Sequence, residues 1–288
     1  MTIHNRFPNM KKSLVFSHIL KTGGLSLRGA LSRVAGKGFC PIVQSPFPLR
    51  IEIERVVEQA HSDDMDSLLV AGHVGVGLGR LLGWNTKYFT FVRDPIQRTL
   101  SNFYHRKRQG MSLSLIDWIE AEPRFSYNLQ TRFLSGFEFD CQQRGEWDDD
   151  AFYGESGGTL SERVGEEHLT QCLEAMGKTV FVGLTERYNE SILVFRRQFG
   201  WPLLKLWYVA TNKGTNRPRE EKLSPEELSA LEAANTLDQR LYRESVASFE
   251  GVLASGSGPS AFDRMVYRIL LAGASKAARM RSKENRSQ

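Results

Sequence analysis

A chain of 288 residues, 41% hydrophobic and 25% charged, has the composition of an average globular protein and enough length for one large α/β core or two small ones. Its formal net charge of +5 and sequence pI near 9.1 favour anionic ligands over neutral ones, without arguing for nucleic acid. Cys40, Cys141 and Cys172 are odd in number and widely spaced, which argues against a disulfide framework and for reduced thiols; the six histidines have no metal-ligand spacing. No apolar run is long enough to cross a bilayer, and a cytoplasmic location is expected.

Lys11 and Lys12 precede an apolar run, as in a signal peptide, but that run contains Ser17 and His18 and leads straight into a glycine turn, so it is read as a strand. The strand is predicted over 14–19, followed by a helix in which Leu27, Ala30, Leu31 and Val34 recur at helical spacing. Residues 36–49 contain Pro41, Pro46 and Pro48 and are expected to be a loop, and 51–60 a helix. Short buried strands are predicted at 67–71, ending at Gly72-His73, and at 87–92, ending at Arg93-Asp94-Pro95. Asp94 can cap the next helix, Pro95 suits its first position, Gln97 completes a capping-box-like pattern, and Ile96, Leu100 and Phe103 give it an apolar side.

Helices are predicted over 113–120 and 126–134, and a long acidic surface loop over 141–158. A helix over 161–176, a strand over 179–184 and an amphipathic helix over 186–199 follow. Ser224-Pro225-Glu226-Glu227 starts a last long helix running to about Phe249. Residues 1–255 are expected to form a single domain and 256–288 a basic tail, helical or disordered. In that tail Arg264, Arg268, Lys276, Arg279, Arg281, Lys283 and Arg286 face only Asp263 and Glu284. Such an end is either solvated or, with Met265, Val266, Ile269, Leu270 and Leu271 among the charges, a helix in peripheral contact with an anionic membrane. Strands alternating with helices imply an α/β fold, a central parallel β-sheet flanked by helices on both faces.

The stretch between the first strand and helix carries the most chemistry. Lys21-Thr22-Gly23-Gly24-Leu25-Ser26 combines two glycines, which allow a tight turn and close approach of backbone N–H groups, with a helix start and three side-chain donors. This is a cradle for a phosphate or sulfate, although an ordinary glycine turn has the same composition. It is not the common nucleotide P-loop, because the lysine precedes the glycines; nor do the glycines of 72–79 have dinucleotide-binding offsets. In a parallel sheet ligands bind at the carboxyl ends of the strands. The cradle, His73 and Arg93 each follow a predicted strand, so three distant polar clusters are expected at one edge.

Residues 16–26 resemble the 5′-phosphosulfate loop of sulfotransferases that use 3′-phosphoadenylyl sulfate (PAPS), and 91–101 resemble their 3′-phosphate motif. The similarity is to the carbohydrate branch that includes the heparan sulfate 2-O- and 6-O-enzymes, with further matches at 72–74, 128–132 and 182–186. The resemblance implies a P-loop-NTPase-like sulfotransferase fold and transfer of a sulfuryl group to an acceptor hydroxyl on a saccharide or glycolipid, with PAPS as co-substrate and no metal. It implies that Lys21 stabilises the leaving phosphate and that Thr22, Gly23, Gly24, Leu25 and Ser26 hold it. Arg93 and Ser101 would bind the 3′-phosphate, and Asn212, Lys213, Gly214 and Thr215 would close over the nucleotide. His73 would be the general base, since an imidazole titrates near neutrality. His105, one helical turn after Ser101, and Asn128, Gln130 and Arg132 would contact the acceptor, while His18 is expected to be buried scaffold. Leu20 and Leu25 depart from the proline and threonine usual in that family. Two other readings stay open: a nucleotide-dependent kinase or phosphotransferase, and a non-catalytic binder of sulfated or phosphorylated glycans.

Overall fold

A computed structural model of the chain describes residues 11–42, 50–62, 66–144, 160–209 and 223–284. The fold is α/β. Five strands, β1 (Lys12–Ser17), β2 (Phe39–Pro41), β3 (Ser67–Gly72), β4 (Asn85–Val92) and β5 (Val180–Leu184), form one sheet in the order β2-β3-β1-β4-β5. All pairings are parallel, with Val15 opposite Val70 on one side and Tyr88 on the other. Four of these strands were expected within two residues. The edge strand β2 was not, because three residues ending in proline carry no readable period.

The helices are α1 (Leu25–Ala35), α2 (Arg50–Ala60), α3 (Gly79–Leu82), α4 (Pro95–Arg108), α5 (Leu115–Ala121), α6 (Pro123–Ser126) and α7 (Leu129–Ser135). They continue with α8 (Phe137–Gln143), α9 (Leu160–Arg163), α10 (Glu166–Ala175), α11 (Tyr188–Phe199), α12 (Pro225–Ala234), α13 (Thr236–Val252) and α14 (Ala261–Glu284). The strands are apolar on both faces, as a sheet covered on both sides requires. Val15, Val70, Tyr88 and Val92 pack against α2, α7, α10 and α13; Phe16, Leu69, Phe89 and Phe91 pack against α1 and α11. On the second face Phe16 stacks on Phe89 at 4.9 Å, and Phe195 meets both Phe89 and Phe91 edge-on. A smaller cluster of Phe103, Leu115, Trp118 and Leu231 joins α4, α5 and α12.

Three helix expectations and one loop boundary are corrected. The helix predicted over 161–176 is interrupted at Val164-Gly165, which separates α9 from α10. The long helix starting at Ser224 has its capping box, with Ser224 N donating to Glu227 and Glu227 N to Ser224, but breaks at Asn235. There the Asn128 side chain, distant in sequence, enters and accepts from Leu237 N and Asp238 N, at 3.0 and 3.1 Å, capping α13. The predicted 126–134 helix begins only at Leu129, because Asn128 is left-handed with φ 40°. Cys141–Gln143, expected in the acidic loop, belong to α8; residues 145–159 of that loop lie outside the described residues. The tail is helical over Ala261–Glu284. Among the described residues no helix is long and apolar enough to cross a membrane.

Candidate anion-binding site at the carboxyl edge of the sheet

β1 ends at Ser17, whose hydroxyl donates to Val74 O at 2.7 Å, and His18 N pairs with Gly72 O. These bonds tie the turn after β1 to the turn after β3. The chain then crosses to α1 through Lys21, a non-glycine residue with φ 69°, and Gly23 with φ 88°. Thr22 is fully buried and its hydroxyl closes the turn on Ile19 O at 2.8 Å. Thr22 therefore offers no side-chain donor to a ligand.

The two glycines are required by two different neighbours. A Cβ on Gly24 would lie 2.1 Å from His18 Cδ2, because the imidazole fills the space beneath the turn. A Cβ on Gly23 would meet the Tyr188 ring at 3.3 Å and would adopt a backbone angle that side chains avoid. Tyr188 in turn donates its hydroxyl to Gly23 O at 3.0 Å and stacks on Phe91 at 4.5 Å. α1 has Gly24 at its N-cap, with no capping side chain and no acidic residue in its first turn. Its first N–H groups thus end in a positively polarised cup without a resident carboxylate. Ser26 is half-buried at this helix start.

Arg93 leaves the end of β4 largely buried, and its Nη1 donates to Lys21 O at 3.3 Å. The cradle and the arginine are therefore in contact across neighbouring strands. Thr185, just past β5, ties the same edge together: its hydroxyl is 3.0 Å from both Thr22 O and Val92 O. Asp94 accepts from Gln97 N at 2.8 Å and caps α4, and its own N donates to Glu186 at 3.0 Å. Ser101 is half-buried in α4, about 9 Å along the axis from Pro95 at ~1.5 Å per residue.

His73 follows β3 and lies beside the cradle. Its ring stacks on that of His18, with centroids 4.4 Å apart, and its Nδ1 is 2.6 Å from His18 O. A carbonyl can only accept, so Nδ1 carries the proton and Nε2 of the neutral ring is the basic nitrogen. Burial holds the His73 pKa below its ordinary value, opposed by this hydrogen bond. Burial, then the charges of His73, Lys21 and Arg28, push His18 down further. His105 is half-buried on α4 and is lowered by burial and then by the charge of Lys21. The Lys21 charge thus lowers both His18 and His105, after burial.

Three expected acceptor contacts are not in the cleft. Asn128, Gln130 and Arg132 are each 0% exposed. Asn128 caps α13, as described. Arg132 is ion-paired with the buried Glu138 and donates to Tyr127 O and Arg124 O, both at 2.8 Å. Gln130 pairs with the backbone of Arg93. Their polarity suggested a ligand surface, whereas each is fully buried and hydrogen-bonded within the protein. Asn212, Lys213, Gly214 and Thr215 lie outside the described residues. The sequence reading missed Tyr188, Thr185 and the placement of His18 under the turn. Only Thr185 had a signal for the site, within the 182–186 match. Among the described residues no group of three or more His, Cys, Asp or Glu is placed to hold a metal.

Residues 6–122 match the model of the Sulfotransferase family. This segment contains β1 to β4 and every cleft residue named above except Tyr188, Thr185 and Glu186. Among solved structures, the crystal structure of a sulfotransferase from Alicyclobacillus acidocaldarius matches at 14% identity, over 79% of this chain and 96% of that one, with a TM-score of 0.36. No curated protein matches the sequence.

Proposed function

We propose that this chain transfers a sulfuryl group from PAPS to an acceptor hydroxyl, with a saccharide or glycolipid as the acceptor class. The observation that carries the reading is the contact of Arg93 with the Lys21 carbonyl beside an uncapped helix start. A donor with phosphates at its 3′ and 5′ positions needs two cationic grips close together, and the match over 6–122 supports that class of donor. The backbone N–H groups from Gly23 to Leu25, with the Ser26 side chain, hold the 5′-phosphate, and Lys21 stabilises the charge that develops on it as the sulfur–oxygen bond breaks. Arg93, with Ser101, holds the 3′-phosphate, for which a guanidinium is suited by its two parallel donors.

His73 is the general base. The acceptor proton goes to Nε2 while the acceptor oxygen bonds to sulfur and the bridging oxygen leaves with the nucleotide. The carbonyl of His18 fixes the tautomer this requires. Apart from this proton transfer, the protein contributes positioning and charge stabilisation.

Two variants test the assignment against the desulfated nucleotide, adenosine 3′,5′-bisphosphate. Arg93→Ala is expected to weaken binding by roughly 10- to 100-fold, the loss of a charged hydrogen-bonding group. His73→Ala is expected to keep binding and lose roughly 100- to 10,000-fold in turnover with labelled PAPS and an acceptor panel. Unchanged affinity in Arg93→Ala contradicts the reading, and magnesium-dependent turnover with ATP would replace it by a phosphotransferase.

A further inference from the structure

Among the described residues, several exposed large hydrophobic side chains fall together on α14. Its inner side is bolted down: Tyr267 is 1% exposed and donates to Leu206 O at 3.0 Å, and Leu270 and Leu271 pack on the second core cluster. Asp263 and Ser260 cap each other reciprocally, and Asp263 pairs with Arg196 and Arg197, both at 3.1 Å. The orientation of the helix is therefore set by the fold.

That orientation turns Phe262, Met265, Ile269 and Met280 outward, at 67%, 50%, 64% and 55% exposure. They account for four of the ten exposed large hydrophobic side chains among the described residues. Steps of three, four and eleven residues keep them on one side of a helix about 36 Å long at ~1.5 Å per residue. Arg268 and Arg279, also eleven apart and exposed, run along one border, and Lys276 stands within the stripe. An apolar stripe edged by cations lies in the plane of a bilayer, with its apolar side chains among the upper acyl chains and its cations at the headgroups.

We infer that the outward face of α14 docks on an anionic lipid surface. Charge decides between the possible occupants. A second copy would set these cations against themselves on a chain already at +5, whereas anionic headgroups complement them. The inference is independent of the reaction at the cleft.

Sedimentation of the full chain with vesicles tests it. Binding is expected to phosphatidylcholine vesicles with about a third phosphatidylglycerol, and not to phosphatidylcholine alone. The Arg268→Glu/Lys276→Glu variant is expected to bind at least about 25-fold more weakly, at roughly fivefold per removed cation. Phe262→Ser/Ile269→Ser is expected to fall comparably, with an unchanged melting curve because both positions are exposed. All three cysteines are buried, so Ile269→Cys introduces a surface thiol for an environment-sensitive dye. Its emission should shift to the blue with anionic vesicles only. No binding by the unaltered chain, equal binding by the variants, or an unshifted dye overturns the inference. A dimer in sedimentation equilibrium that Ile269→Ser dissolves also overturns it, assigning the face to a second copy.

Discussion

Gln130 holds the peptide of Arg93 at both ends, accepting from Arg93 N at 2.8 Å and donating to Arg93 O at 2.9 Å. The pairing imitates one rung of a β-ladder and sets where the guanidinium leaves the strand. Gln130→Met keeps the volume but removes both hydrogen bonds to the Arg93 backbone. Urea denaturation should show a loss of about 2–6 kcal/mol, at roughly 1–3 kcal/mol for each lost partner. An unchanged midpoint would mean that the clamp contributes nothing.

Gly24 and His18 form a second pair whose coupling can be measured. Gly24→Ala places a methyl group inside the imidazole and should destabilise the fold by about 1–3 kcal/mol, the usual range for overpacking. In the background of His18→Ala the same substitution should be much milder, with an interaction energy of about 0.5–3 kcal/mol. Additive effects would separate the two residues.

The stacked histidines give stability a pH dependence with a definite sign. Both His18 and His73 have folded pKa values below the unfolded value near ~6.5. As pH falls below that value the unfolded chain takes up the proton first, so stability is present above it and is lost toward acid. The melting temperature should therefore fall between neutral pH and pH ~5, and His18→Phe should flatten the curve. For the proposed reaction, the acid limb of kcat/KM should have its inflection below pH ~6.5. An inflection above that value would exclude His73 as the base.

Arg132 and Glu138 separate a structural role from a substrate contact. Removing one partner of this fully buried pair, as in Arg132→Met, should cost about 3–5 kcal/mol. Adding Glu138→Leu should restore much of it, because an apolar pair leaves no uncompensated charge. A stable Arg132→Met variant with altered acceptor preference would reverse the assignment.

Which parts of this molecule could be read in advance follows from where the information lies. The strand ends after β1, β3 and β4 were legible because each joins an apolar run to an abrupt polar triplet, and a parallel sheet collects such ends at one edge. Asp94 and Ser224 announced their helices through local capping chemistry, which needs no tertiary knowledge. Asn128, Gln130 and Arg132 were misread because a polar helix and a buried polar network have the same composition. Only their partners, Arg93 and Asp238 far along the chain and the buried Glu138, distinguish them. Tyr188 was legible only as part of the apolar side of its helix, since its contact with Gly23 spans 165 positions.

The network around Gln130 extends one step further than the cleft. Asp238 receives Gln130 N at 3.0 Å, and Thr131 N and its hydroxyl at 2.7 and 2.8 Å, so the shelf under Arg93 rests on a carboxylate from the last quarter of the chain. During synthesis the β1–β4 segment emerges long before that carboxylate does. A ribosome-bound nascent chain ending short of α13 would hold Lys21 and Arg93 without the strut that aligns them. Binding of the proposed nucleotide should accordingly appear late in translation, after the arrival of Asp238.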